Sequence, residues 1–310
     1  MSLTPPVGRL APSPTGELHL GHARSFLLAW WSIRSRGGRL VMRIEDLDVA
    51  RAKPDWIDSC RRDLEWLSLD WDGPELLQST RTDVLQEAVD RLLESGQAYA
   101  CTCSRREIMQ ALSAPHAGGE LRYPGTCRGK WETPQAAEAA TNSAAGVRFL
   151  VKPGPVAWRD GLLGERKNDV AAEVGDFLLA RRDGNFAYQL AVVVHDALQG
   201  VTEVLRGDDL APSAARQALL QDALGLPRPN WIHVPLVLDA TGQRLAKREP
   251  GTTLASLRED GVDPRAIVAW AARSSGLECG ERALPADVLT EFDLAKLPSG
   301  PVRVGHLGRD

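Results

Sequence analysis

No stretch of this 310-residue chain approaches the ~20 consecutive apolar residues of a membrane-spanning helix, and no basic segment leads into an apolar one near its start. Membrane insertion and export are therefore not expected; a cytoplasmic location is. An even set of cysteines is missing too: the 5 present, two of them one residue apart, suit reduced thiols better than a disulfide framework. Excess positive charge is also lacking. With a formal net charge of -4, attraction to nucleic acid has to come from local clusters. The candidates are Arg34, Arg36 and Arg39, then Arg122, Arg128 and Lys130, and finally Arg244, Lys247 and Arg248. There is no internal repeat or low-complexity segment. What the chain does have, 43% hydrophobic and 25% charged residues, suffices for a substantial core, a main domain with one or two appendages.

Val7 to Ala11 is a short apolar run stopped by prolines, as in a buried strand of a parallel sheet. After a loop, Ala23, Phe26, Leu27, Trp30 and Ile33 recur at helical spacing until Gly37-Gly38, and Leu40 to Ile44 reads as the next strand. Such a βαβ unit puts its ligand crevice at the carboxyl ends of the strands, where a helix N-terminus offers N–H groups and a positive dipole to phosphates. His19 and His22 fall there around Gly21, which lets a base or ribose approach the backbone while the imidazoles donate to phosphate oxygens. A bare His-x-x-His is equally a pair of satisfied loop histidines.

Far downstream, Arg244-Leu245-Ala246-Lys247-Arg248 follows an apolar run, Ile232 to Leu238, and a turn at Asp239-Ala240-Thr241-Gly242. Together the two motifs resemble the HIGH and KMSKS signatures of class I aminoacyl-tRNA synthetases. Arg9-Leu10-Ala11-Pro12-Ser13-Pro14-Thr15-Gly16, Arg43-Ile44-Glu45-Asp46-Leu47-Asp48 and Val201-Thr202-Glu203-Val204-Leu205-Arg206-Gly207 resemble the glutamyl branch, in its order. A complete glutamyl-tRNA synthetase resembles this body with a long helical anticodon-binding region added, whereas this sequence stops at Asp310. From about Val7 to about Leu277 the chain thus resembles the glutamyl-queuosine tRNA(Asp) synthetases, stand-alone members of the branch. The resemblance implies an ATP-dependent ligase that activates L-glutamate without needing tRNA and transfers it to queuosine at position 34 of tRNA(Asp), with Mg²⁺ accompanying ATP. A monomer is expected. Two other functions stay open: a truncated glutamyl-tRNA synthetase charging tRNA(Glu), and a non-catalytic zinc-bearing RNA-binding module, against which the joint presence of His19, His22 and Lys247 speaks.

The implied fold is α/β, a class I synthetase-type Rossmann fold with a parallel sheet, a zinc-containing insertion and a small C-terminal helical stem-contact region. Residues 1–98 and 186–240 are the two Rossmann halves, 99–185 the insertion, and 241–310 the basic loop and helical region. Helices are expected at about Pro54 to Leu67 and Thr82 to Glu94, and strands at Val147 to Val151, Asp176 to Ala180 and Val201 to Leu205. Asp183-Gly184 marks a tight turn, after which Phe186 to Val194 reads as a buried sheet strand. Ser213 to Leu224 reads as a helix capped by Asp209 or Ser213 and ended by Gly225. Thr253 to Glu259 and Pro264 to Ser274 look helical, and from Glu278 onward the pattern is weak.

Cys101, Cys103 and Cys127 are three candidate thiolate ligands for one structural zinc, which takes four in a tetrahedron. By chemistry alone His116 is the first choice for the fourth; the family resemblance points instead to Tyr123. Cys60 and Cys279 read as plain buried thiols. Glutamate carries two carboxylates and one ammonium, which call for two guanidinium forks and a carboxylate. Arg9, Arg206 and Glu45 answer to that and match glutamate-binding positions of the branch, with Ser13 and Tyr188 completing the pocket. The resemblance also puts Pro12, His19, Gly21, His22 and Lys247 on ATP, with His19, His22 and Lys247 catalytic. His195 and Ala246 depart from the branch's pattern, where an aspartate and a small hydroxyl residue are usual.

Overall fold

The computed structural model describes residues 4–111, 122–243, 245 and 252–304. Its first half runs β1 Val7–Leu10, α1 Leu20–Arg34, β2 Arg39–Ile44, α2 Pro54–Trp66, β3 Leu76–Leu77, α3 Thr82–Glu94 and β4 Ala98–Cys101. Next come α4 Arg105–Ala111, α5 Pro134–Thr141, β5 Gly146–Phe149, β6 Val156–Asp160, β7 Gly164–Asn168, α6 Val170–Glu173 and β8 Leu178–Ala180. The chain continues with α7 Tyr188–Leu198, β9 Glu203–Gly207, α8 Ala211–Leu224, β10 Asn230–Val234, β11 Val237–Leu238, α9 Leu254–Glu259, α10 Pro264–Arg273 and β12 Val302–Arg303. Among the described residues no helix is long and apolar enough to cross a membrane.

Two sheets share the central layer. One has the order β1-β2-β3, all parallel, and the other β7-β6-β10-β9, parallel but for the β6–β7 hairpin. Thr202 joins them: its N–H donates to the Val7 carbonyl at 2.8 Å, and its hydroxyl accepts from the Val7 N–H at 2.9 Å. The chain leaves β1 in one direction through α1 and leaves β9 in the other through α8, so the crevice between β1 and β9 is the switch point where α/β sheets bind ligands.

Strand alternation divides the interior into two cores. Leu40, Met42, Ile44, Leu205, Ile232 and Val234 pack on one face with α1 and α10. Val41, Val204 and Trp231 turn to the other, against α3, α7 and α8. Arg9, Arg43, Arg206 and His233 have the same parity as this second set. Polar side chains therefore take over that face at the carboxyl ends of the strands.

Several elements depart from the sequence expectation. Phe186 to Val194 is not a strand; from Tyr188 onward it lies within α7, whose residues 189–196 are all buried. A continuous apolar run has no period, and a helix covered on every side reads like a buried strand. The run Ile232 to Leu238 breaks at Pro235 into β10 and β11, since proline cannot donate in a ladder. Neither Asp209 nor Ser213 caps α8: Leu210 stands at its N-cap without a side-chain bond, and Ser213 lies inside the helix. Residues 277–304 pack onto the core, with Leu277, Ala283, Val288 and Leu297 buried, the Trp31 indole donating to the Pro285 carbonyl at 2.8 Å, and β12 paired to β11. Residues 156–168, inside the span read as the insertion, form the β6–β7 hairpin on the second-half sheet, while β4, β5 and β8 make a separate antiparallel sheet.

The first crossover turns on two adjacent glycines for different reasons. Gly37 adopts φ +63 with open space around it, whereas a Cβ on Gly38 would sit 2.4 Å from the Pro6 carbonyl oxygen and 2.9 Å from the buried Ile33. Gly37→Ala should cost about 1 kcal/mol through its left-handed backbone. Gly38→Ala should cost about 2–3 kcal/mol, because strand and turn must move apart. Urea unfolding of the two variants checks the order; equal losses would mean that the turn tolerates the displacement.

Candidate active site and metal cluster

A cavity of about 510 Å³ opens at the switch point. Arg9, Pro12, Ser13 and Glu45 line it from the ends of β1 and β2, His19, Gly21 and His22 from the start of α1, and Tyr188 and Arg206 from α7 and β9. Every expected site residue of the main cavity except Lys247 is thus brought to one place. Lys247 lies outside the described residues, as do Arg244, Ala246 and Arg248. One described residue of that segment does reach the cavity. Leu245 lines it, and Thr252 accepts from the Leu20 N–H at 3.2 Å.

The two histidines are set by the backbone. His19 is the N-cap of α1 and forms a capping box with His22. Its Nδ1 accepts from the Gly21 N–H at 3.1 Å, while His22 Nδ1 accepts from the His19 N–H at 3.1 Å. The rings lie 3.7 Å apart at 30°. With Nδ1 accepting, a neutral imidazole carries its proton on Nε2. Two first-turn N–H groups expected to be open to a phosphate have partners: Leu20 on the Thr252 carbonyl and Gly21 on His19 Nδ1. A Cβ at Gly21 would stand 3.0 Å from His19 Cε1, so the space that glycine opens is taken by the imidazole.

The charged groups form one connected set. Asp196, on α7, takes Arg43 Nη1 at 2.6 Å and lies 3.3 Å from Arg9 Nε. Arg43 also reaches Glu45 at 3.2 Å, and the Ser13 hydroxyl donates to the other Glu45 oxygen at 3.2 Å. Within the Arg43–Glu45 pair the Arg43 side chain is fully buried and that of Glu45 nearly so. Burial pulls Arg9 below its ordinary pKa against the attraction of Asp196; for Arg43 burial is outweighed by Asp196 and Glu45, which hold it above. Arg9 is 6% exposed and, among the described residues, donates no hydrogen bond. Arg206 is held closely: Nε donates to His233 Nε2 at 3.0 Å, Nη2 to Gln217 at 2.9 Å, and Nη1 to the Tyr188 hydroxyl at 3.4 Å. Sequence reasoning gave no role to Arg43, Asp196, Gln217 or His233. Their one signal was polarity inside apolar segments such as Ile232–Val234.

Cys101, Cys103 and Cys127 gather with all sulfurs within 4.8 Å of one another, and the cluster can hold a metal ion. His116 lies outside the described residues. The Tyr123 hydroxyl caps the cluster at 3.4 Å from Cys101 Sγ and 3.6 Å from Cys103 Sγ, with Cys103 and Cys127 3.3 Å apart. A zinc tetrahedron of sulfur and oxygen has edges of about 3.5–3.8 Å, so these four atoms fit one after small adjustments. The Arg148 guanidinium supports them, with Nε 3.3 Å from Cys101 Sγ and its plane 3.8 Å over the Tyr123 ring. Burial pushes the Cys103 thiol up to about 12 and raises the Tyr123 phenol. Burial acts on Cys127 too, but hydrogen bonds from Tyr123, Cys103 and the Thr102 N–H outweigh it and draw that thiol down to about 7. Cys60 and Cys279 lie apart from the cluster. A cleft of about 1000 Å³ runs from Cys101, Cys103 and Tyr123 past Arg105, Arg181 and Arg182 to Tyr188, which it shares with the first cavity.

The basic clusters read from the sequence are largely engaged. Arg34 pairs with Asp70 and Asp72, Arg36 with Glu203, and Arg128 with Asp176, while Arg39 and Arg122 donate to backbone carbonyls.

Residues 7–284 match the family model of the class I (E and Q) tRNA synthetase catalytic domain. The glutamyl-Q tRNA(Asp) synthetase of Symbiobacterium thermophilum is 44% identical, over 96% of this chain and 95% of that protein. The protein of the same name in Rhodopirellula baltica is 42% identical, over 97% of both. Among solved structures, a glutamate tRNA ligase from Elizabethkingia meningosepticum in complex with its amino acid superposes with a TM-score of 0.83 at 27% identity, covering 97% of this chain and 67% of that one. The chain therefore belongs to the class I tRNA synthetase catalytic-domain family for glutamate and glutamine and, within it, to the glutamyl-Q tRNA(Asp) synthetases.

Proposed function

We propose that the protein activates L-glutamate with ATP to glutamyl-adenylate, without needing tRNA, and transfers the glutamyl group to queuosine at position 34 of tRNA(Asp). The observation that carries the first half is Arg9, a buried guanidinium in the cavity wall with one ion pair and no hydrogen bond of its own. Such a group suits an anionic ligand, because a buried donor left unmet is costly. Support for the acceptor comes from the named relatives, which this chain matches over nearly their whole length, whereas it covers about two thirds of the glutamate-tRNA ligases.

In this proposal Arg9 and Arg206 hold the two carboxylates of glutamate and Glu45, steadied by Ser13, holds the ammonium, with Tyr188 closing the pocket. The amino acid's α-carboxylate oxygen attacks the α-phosphorus of ATP in line, and the bond to pyrophosphate breaks. His19 and His22 donate from Nε2 to phosphate and ribose oxygens, Pro12 and Gly21 flank the nucleotide, and Lys247 meets the charge growing on the β- and γ-phosphates. Mg²⁺ bound with ATP would supply further neutralisation of that charge. A hydroxyl of the queuosine diol then attacks the activated carbonyl and AMP leaves. Independence from tRNA follows from preorganisation, since Arg206 and the imidazoles are already held by protein groups. The acceptor loop enters along the wide cleft, where Arg105, Arg181 and Arg182 offer its phosphates cations beside Tyr188. Zinc suits the cluster: Cys101, Cys103, Cys127 and Tyr123 would hold it, and three thiolates and a phenolate would leave no open position, so its role would be structural.

Pyrophosphate exchange with glutamate should proceed without RNA. Lys247→Ala should slow it by roughly a hundredfold or more with little change in KM for glutamate, whereas Arg9→Ala should raise that KM. Exchange that needs tRNA, or that runs equally well with aspartate, would overturn the proposal. Elemental analysis should find one zinc per chain, and Cys103→Ser should lower that occupancy while leaving exchange measurable; unsubstituted protein prepared without chelator and found free of zinc would remove the proposed metal site.

A further inference from the structure

Asp160, His233 and Arg206 stand on the adjacent strands β6, β10 and β9 and are 2%, 0% and 5% exposed. They form a line of hydrogen bonds. His233 Nδ1 donates to Asp160 Oδ2 at 2.5 Å, and His233 Nε2 accepts from Arg206 Nε at 3.0 Å. A neutral imidazole can accept at Nε2 only with its proton on Nδ1, and Asp160 is the partner that selects this tautomer. Asp160 is itself fixed, because its Oδ1 accepts from the Leu162 and Leu163 N–H groups at 2.9 and 2.8 Å. Burial keeps the His233 pKa below its ordinary value despite the pull of Asp160, which preserves the acceptor at neutral pH. On the far side Gln217 accepts from Arg206 Nη2 and donates to Gln189 Oε1 at 2.9 Å, fixing its amide. Of the five Arg206 donors one Nη1 hydrogen is left uncommitted, on a guanidinium that lines the cavity.

We infer that His233, held in its Nδ1–H tautomer by Asp160, is a positioning residue that fixes the direction in which Arg206 offers its remaining N–H to the amino acid. This rests on the proposal that Arg206 binds a glutamate carboxylate. Position 233 lies outside the cavity lining, so its effect is transmitted through Arg206 alone.

Two substitutions separate the two ring nitrogens. The amide of His233→Gln reaches the place of Nε2 and can still accept from Arg206; that of His233→Asn reaches only the place of Nδ1, keeping Asp160 but not Arg206. In pyrophosphate exchange, H233N should raise KM for glutamate roughly tenfold, the scale of one lost hydrogen bond to a charged group. KM for ATP should stay the same, and H233Q should recover most of the loss. Asp160→Asn tests the tautomer separately. Its amide oxygen is held by Leu162 and Leu163, so its NH₂ faces Nδ1, pushes the ring proton to Nε2 and sets donor against donor at Arg206; KM for glutamate should rise as in H233N. Arg206→Lys, measured alongside, isolates the premise. If it leaves KM for glutamate unchanged, Arg206 does not bind the amino acid. If it raises KM while H233N, H233Q and D160N all behave as wild type, or if H233N and H233Q lose equally in step with their melting temperatures, His233 has no positioning role.

Discussion

Burying three guanidinium groups at the ends of parallel strands is the constraint on which the rest of this structure depends. An isolated buried charge costs several kcal/mol, so Arg9, Arg43 and Arg206 can exist there only if other elements bring partners to them. Helix α7 brings Asp196 to Arg9 and Arg43, β2 continues into Glu45, the β6–β7 hairpin supplies Asp160 through His233, and α8 supplies Gln217. The supporting helices α7 and α8 pack on the same face of the sheet, where alternation along β2, β9 and β10 turns from valine and tryptophan below to arginine and histidine above. The apolar half of that face holds the helices in place. Its polar half is the wall of the cavity.

Much of this was legible in the sequence because it is local. The Pro-rich stop after Leu10, the helical spacing from Ala23 to Ile33 and the double glycine each act within a few residues, and β1, α1 and β2 follow. The gathering of Arg9, Ser13, Glu45, Tyr188 and Arg206 followed from family resemblance together with the rule that ligands sit at strand ends, and all five line one cavity. What escaped depends on long-range partners. The α7 segment has no period by which to tell helix from strand, and its identity is settled by packing on α3 and α8. The role of Asp160 depends on a hairpin leaving the insertion span to pair with β10, and no pattern between residues 156 and 168 announces that. Capping of α1 by His19 was equally hidden, since histidine is not a favoured cap and the effect needs the ring of His22 beside it.

The cysteine cluster is tied to the same framework. Asp176 takes the Tyr99 hydroxyl, the Arg128 guanidinium and the Val151 N–H, and Arg128 directly follows Cys127. Tyr123 bridges to Gly175 at the neighbouring backbone position. The cysteine loop is thereby fixed to the chain that leads through β8 and its turn to Tyr188, the residue shared by the two cavities. The cysteine cluster and the wall of the wide cleft are therefore linked by a short, hydrogen-bonded path.

The most direct measurement locates the acceptor. Purified tRNA(Asp), with and without queuosine, and tRNA(Glu) are each incubated with enzyme, ATP and labelled glutamate, and the products are mapped by nuclease digestion. Label should appear only on queuosine-containing tRNA(Asp) and only in the anticodon fragment. Label on the 3′-terminal adenosine, or on tRNA(Glu), would contradict it.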